Sequence, residues 1–141
     1  MKLHGAALCM LLALMMVGES MAQTIRMKAD VPFDFIVNGS SLPAGEYTIQ
    51  SFGAIDGKTL RLGNVGNRQG ALVNTVGMDA SQASSQTKLV FHRYGDRYFL
   101  AQVWIAGSDH GQALPTSHRE SELARDYQNR FQEVDLIAAV R

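Results

Sequence analysis

The stretch from Lys88 to Gly107, KLVFHRYGDRYFLAQVWIAG, restricts the fold more than any other part of the chain. Two runs rich in Val, Phe, Tyr and Trp flank Gly95-Asp96, and glycine at the first central position suits a type II′ turn, whose twist matches an antiparallel hairpin. A two-residue turn sets the register: Tyr94 opposite Arg97, Arg93 opposite Tyr98, His92 opposite Phe99, Phe91 opposite Leu100, and Val90 opposite Ala101. Alternation then puts Leu89, Phe91, Tyr98, Leu100 and Trp104 on one face, and Val90, His92, Phe99, Ala101, Val103 and Ile105 on the other. Both faces are largely apolar, and each uncovered Phe or Ile would forgo about 1.5 to 3 kcal/mol of burial. The hairpin therefore belongs in the middle of a sheet, with a second sheet over one face and a helix or loop over part of the other.

Residues 1–22 read as a signal peptide: Lys2 is a basic start, Ala6 to Val17 is an apolar run, and Ser20-Met21-Ala22 offers small residues for cleavage. The run falls short of the roughly 20 residues that a membrane span needs. Cleavage would start a single mature domain at Gln23, residues 23–141, and would remove Cys9, the only cysteine. A chain of about 119 residues buries roughly two-thirds of its unfolded surface and can be stable without cross-links. The full chain carries 13 Lys plus Arg against 13 Asp plus Glu, and loss of Lys2 and Glu19 keeps the balance. A neutral domain argues against nucleic acid or an anionic membrane as partner, since both favour a basic face. The expected location is exported, periplasmic or extracellular.

Taken in order, Ile25, Met27 and Ala29 alternate, and Phe33, Phe35 and Val37 resume after Pro32, which lacks a backbone donor and marks an edge or a break between two short strands. Asn38-Gly39 signals a turn. Leu42-Pro43-Ala44-Gly45 predicts a tight turn into a strand with Tyr47 and Ile49 facing inward. Asp56-Gly57 predicts a second hairpin, with Leu60 and Leu62 inward beyond it. A loop from Gly63 to Gly70, a strand from Ala71 to Val76 and a polar, mobile loop from Gly77 to Gln86 precede the organising hairpin. After it, Leu114-Pro115 leads into a helix opened by a Ser117/Glu120 capping box, with Leu123, Tyr127 and Phe131 as an apolar stripe. The tail from Glu133 to Val140 fits both a strand and a continued helix; a break near Asn129 and a closing strand is the favoured reading.

Val31-Pro32-Phe33-Asp34-Phe35, Leu42-Pro43-Ala44-Gly45 and the run from Lys88 to Trp104 resemble a family of small exported bacterial β proteins of uncharacterised function. The likeness runs from Val31 to Ala124. It implies a β-rich exported domain and supplies no catalytic residues.

The densest polar group lies in the hairpin: His92, Arg93, Tyr94, Asp96 and Tyr98 are the candidate binding residues. Functionally, His92 would carry a proton or bind a ligand. Structurally, it would satisfy its ring nitrogens with backbone or water while Arg93 stacks on Tyr98 and Asp96 caps the turn, and with no second base or nucleophile assigned nearby this reading is preferred. His110, His118, Asp109 and Glu122 could converge where the loop meets the helix, but compact metal motifs such as H-E-x-x-H are absent, so no metal or cofactor is expected. Asp34 is expected in solvent or on a turn N–H. Tyr47, Tyr94, Tyr98 and Trp104 could form a sugar platform, although aromatics at strand positions ordinarily fill cores.

The expected fold is an antiparallel β-sandwich or flattened barrel of about seven or eight strands with one helix near the C-terminus. The expected function is a non-enzymatic exported module that binds an unknown protein or glycan partner or plays a structural role, and its unpaired edge strands leave homo-oligomers open to it. The alternatives are a carbohydrate or small-ligand binder, or a hydrolase or metal-dependent enzyme using His92 or His110 with His118.

Overall fold

The computed structural model describes residues 26–52 and 58–140, so the signal-peptide segment and the Asp56-Gly57 turn lie outside the described residues. Alternation of buried and exposed side chains builds most of the described residues into strands. They are β1 (Arg26–Val31), β2 (Phe35–Val37), β3 (Ser40–Leu42), β4 (Gly45–Phe52), β5 (Thr59–Asn64), β6 (Gly70–Asn74), β7 (Val76–Asp79), β8 (Lys88–Tyr94), β9 (Arg97–Trp104), β10 (His110–Ala113), β11 (Gln132–Ile137) and β12 (Ala139–Val140), with helix α1 (His118–Asp126) before β11. Twelve described strands replace the expected seven or eight, because several are only two to four residues long and are cut where the chain changes sheets.

The first sheet has the order β12-β1-β4-β5-β6, and the second runs β11-β8-β9-β10-β7 with β2 and β3 attached through β9. Both sheets are open and face each other, so the sandwich stands and the barrel falls. Pairing is antiparallel except where β2 runs parallel to β9 at Tyr98 and Phe99. Met27, Ala29 and Val31 of the first sheet and Leu89, Phe91 and Leu100 of the second share one core with Tyr47, Ile49, Leu60 and Leu62.

The chain crosses between sheets at short joints. Pro32 is one: with φ fixed and no N–H, it ends β1, and the chain re-enters the other sheet at Phe35. Asp34 Oδ1 accepts the Ala44 N–H at 2.8 Å, tying this joint to the Pro43-Ala44 turn that leads back, as expected of that aspartate. The Tyr47 hydroxyl donates to the Pro43 carbonyl at 2.6 Å, and its ring is fully buried. Thr75 forms the third joint. Its N–H and hydroxyl both reach the Lys58 carbonyl, at 2.6 and 2.7 Å, which splits the expected strand 71–76 into β6 and β7. Gly77, Met78 and Asp79, expected to be loop, continue from Val76 as a strand that pairs with β10. Residues 80–86 carry no strand, and Ala80 and Ser84 donate to the carbonyls of Asp109 and Ser108.

The β8–β9 hairpin occupies the centre of its sheet, flanked by β11 on one side and by β10 and β2 on the other. Gly95 takes φ +61°, as the first position of a type II′ turn requires, and the Tyr127 ring lies where a side chain at 95 would go. Register agrees with expectation from Tyr94↔Arg97 to Phe91↔Leu100, then slips: Val90 pairs with Gln102, leaving Ala101 as an extra residue. This bulge turns the end of β9 over. Val103 therefore enters the main core beside Leu89, and Trp104 lies on the opposite face, with its indole across Gly111 so closely that no Cβ fits there. The face assignments of Val103 and Trp104 were thus interchanged.

Helix α1 opens on Ser117, whose Oγ accepts the Glu120 N–H at 3.2 Å. It closes at Tyr127, because Gln128 and Asn129 both take left-handed φ near +55°. The tail is then a strand, β11 pairing with β8 along its length. Phe91, with 0% exposure in the shared core, sets a test: Phe91→Ala should lower stability by about 3 to 5 kcal/mol in urea unfolding, whereas Val76→Ala, at an exposed edge position, should stay within about 0.5 kcal/mol.

Candidate functional site

The outer face of β8 carries His92 and Tyr94, and α1 crosses it. Leu123 and Ala124 of the helix pack on a small cluster of Ile36, Tyr94 and Phe99, which holds the helix at a fixed height above the sheet. Glu120 lies one turn earlier on that same helix face and is carried inward with them, to 6% exposure. A buried carboxylate is costly without donors. Here Oε1 accepts the Tyr94 hydroxyl at 3.3 Å and faces His92 Nδ1 at 3.1 Å. The expected capping box is therefore half made: Ser117 caps Glu120, but the Glu120 side chain turns to the sheet.

A carboxylate only accepts, so the proton between these groups sits on Nδ1, and neutral His92 keeps Nε2 as an acceptor. The His92 ring stacks on Phe131, centroids 4.1 Å apart at 29°. Phe131 is not on the helix stripe, since it follows the left-handed turn at 128–129 and lies just before β11. Together these groups wall an open cleft of about 380 Å³, to which Arg125 and Asn129 also contribute. Burial, the Glu120 charge and the hydrogen bond to it push the Tyr94 phenol up to about 12.

The five residues expected to form a binding group do not gather. His92 and Tyr94 enter the cleft. Arg93 and Tyr98 lie on the opposite face, where the guanidinium sits 5.4 Å from the Tyr98 ring centre and the ring stacks on Phe33 at 3.8 Å. The stacking of Arg93 on Tyr98 is as expected. Asp96 is at the exposed turn, away from the cleft. His92 takes a side-chain carboxylate rather than backbone or water. The sugar platform of Tyr47, Tyr94, Tyr98 and Trp104 is not formed, because Tyr47, Tyr94 and Trp104 are buried in different places and Tyr98 is covered by Phe33.

Nor do His110 and His118 converge. His110 is held by Asp79 at 2.6 Å through Nδ1 and by Asp109 at 3.3 Å through Nε2. The hydrogen bond that His110 donates to Asp79, followed by the charges of Asp109 and Asp79, holds its pKa above the usual histidine value. Two carboxylates on opposite ring nitrogens offer no common point for a cation. His118 meets Glu122 at 3.5 Å in solvent. Among the described residues no group of three or more His, Cys, Asp or Glu side chains is arranged to hold a metal.

Sequence reasoning missed Glu120, Arg125, Asn129 and Phe131 as cleft residues. A signal for Glu120 existed, in that 120, 123, 124 and 127 follow one helix face, but its role as a capping residue absorbed it. No protein-family model, curated protein or solved structure matches the chain.

Two outcomes follow from the Glu120 contacts. Glu120→Ala should cost about 1 to 3 kcal/mol in chemical denaturation by stranding the buried phenol, while His118→Ala should change stability by no more than about 0.5 kcal/mol. Because the folded Tyr94 binds its proton more tightly than the unfolded chain does, its contribution is complete below pH 10 and lost as pH rises toward about 12. Titrating tyrosinate absorbance should show a late step near pH 12 that Tyr94→Phe abolishes.

Proposed function

We propose that the chain is an exported, non-enzymatic β-module that acts by binding, and that the cleft between α1 and β8 seats its ligand. The observation that carries this reading is Glu120: a carboxylate buried to 6% exposure, aimed by two side-chain partners and set in the wall of an open cleft. Ligand sites use precisely placed polar groups in a preformed concavity; here Glu120, His92 and Tyr94 are held by one another in a largely polar lining to which Ala124 and Phe131 add the apolar surface. The hydrolase alternative draws on His92, whose Nδ1 is oriented by a carboxylate as in catalytic dyads. Nucleophilic catalysis also needs a hydroxyl or thiol within reach of the other ring nitrogen, and among the described residues none is hydrogen-bonded to His92. Export rests on residues 1–22, and mass spectrometry of the exported chain should find it beginning at Gln23.

A thermal-shift panel of glycans, amines, phosphate and divalent metals tests the binding reading. A ligand at 100 times its Kd adds about 2.7 kcal/mol of stability, and Glu120→Gln should abolish that gain. Stabilisation unchanged by Glu120→Gln would overturn the cleft as the seat.

Self-association through a sheet edge belongs to the same proposal. Edge strand β11 carries Glu133 and Asp135, β7 carries Asp79, and β3 and β12 are very short. The edge strand β6, Gly-Ala-Leu-Val-Asn, has no charge, and Leu72 on it is 58% exposed. Unguarded edges invite pairing. Sedimentation should show a dimer at high micromolar concentration that Leu72→Lys returns to monomer.

A further inference from the structure

Resting on the binding role of the cleft, we infer that its ligand is a neutral carbohydrate, with a sugar ring laid on Phe131 and its hydroxyls met by Glu120, Arg125 and Asn129. Charge decides between ligand classes. An anion entering the cleft would face the fixed carboxylate of Glu120, and a cation would face Arg125 in the same lining. Like-charge juxtaposition offsets what the opposite charge offers, so a lining with one group of each sign favours neither ion. A neutral ligand meets neither penalty. Carboxylate, guanidinium and amide together also offer acceptors and donors side by side, which suits hydroxyls that both give and take a hydrogen bond.

Phe131 supplies the apolar half of the site. One ring face is taken by His92 at 4.1 Å, which locks the ring in place, and the side chain remains 43% exposed. An aromatic face is electron-rich, and the C–H groups of a pyranose ring present a weakly positive, apolar surface to it. At about 380 Å³ the cleft lies near the small end of ligand pockets, which start at roughly 300 Å³, so it accommodates one or two rings. Glu120 is prepared in advance by Tyr94 and His92, so little ordering is left for the ligand to bring about.

The test is amide-resolved NMR titration of the full exported chain with maltose, cellobiose, chitobiose and lactose, beside glucuronate, glucosamine and inorganic phosphate. The inference expects at least one neutral disaccharide to move the amides of His92, Asn129 and Phe131, with glucuronate and glucosamine at least tenfold weaker. Phe131→Ala should weaken that binding at least tenfold, and Phe131→Leu, which keeps the apolar volume without the ring, should do the same with an unchanged melting temperature. If only phosphate or glucosamine moves those amides, the carbohydrate assignment falls while the cleft remains a binding site. If no probe moves them, both fall. Full affinity in Phe131→Leu would also overturn the stacking role.

Discussion

The hairpin of β8 and β9 has two greasy sides, and the first sheet and α1 are placed over them. The first sheet covers the side of Leu89, Phe91 and Leu100. The second side, with Tyr94 and Phe99, is covered by α1 through Leu123 and Ala124. Without that second demand the chain would need no helix. Because α1 is short and ends in two left-handed residues, it covers only part of the face, and the cleft is the remainder.

Much of this arrangement is legible in the residues themselves. The Gly95-Asp96 turn fixes four cross-strand pairs correctly because turn geometry propagates without error as long as alternation holds. It fails at Ala101, where an inserted residue leaves no mark in a run that is apolar on both faces. Val103 and Trp104 are equally plausible inward residues, so composition cannot reveal the inversion. Strand count was underestimated for a related reason. Thr75 and Ala138 are unremarkable in sequence, and their role as joints depends on hydrogen bonds to Lys58 and Thr87, distant partners that periodicity does not see. Pro32, by contrast, declares its joint chemically.

The site was less legible than the fold. His92 and Tyr94 were found because they stand out in a hydrophobic strand, but Arg93, Asp96 and Tyr98 were grouped with them only by proximity in sequence, which on a strand places neighbours on opposite faces. Glu120 has an adequate local explanation as a capping residue, and local sufficiency hid its tertiary role. The four-residue spacing of Leu123, Tyr127 and Phe131 puts Phe131 on the helix, which stops four residues earlier at the Tyr127 cap. Its contact with His92 arises because β11 runs back along β8, opposing Glu133 to His92.

The chain passes between the two layers four times, within residues 31–35, 42–45, 74–76 and 137–139. Both lateral borders of the sandwich are therefore stitched, one by the β6–β7 segment and the other by β11–β12. Peeling any border strand from one layer tugs directly on the opposite layer through a joint only one to three residues long. Neither layer can come apart by itself, so the molecule is wired to melt as one cooperative unit, and the cleft on its outer surface inherits the rigidity of both sheets.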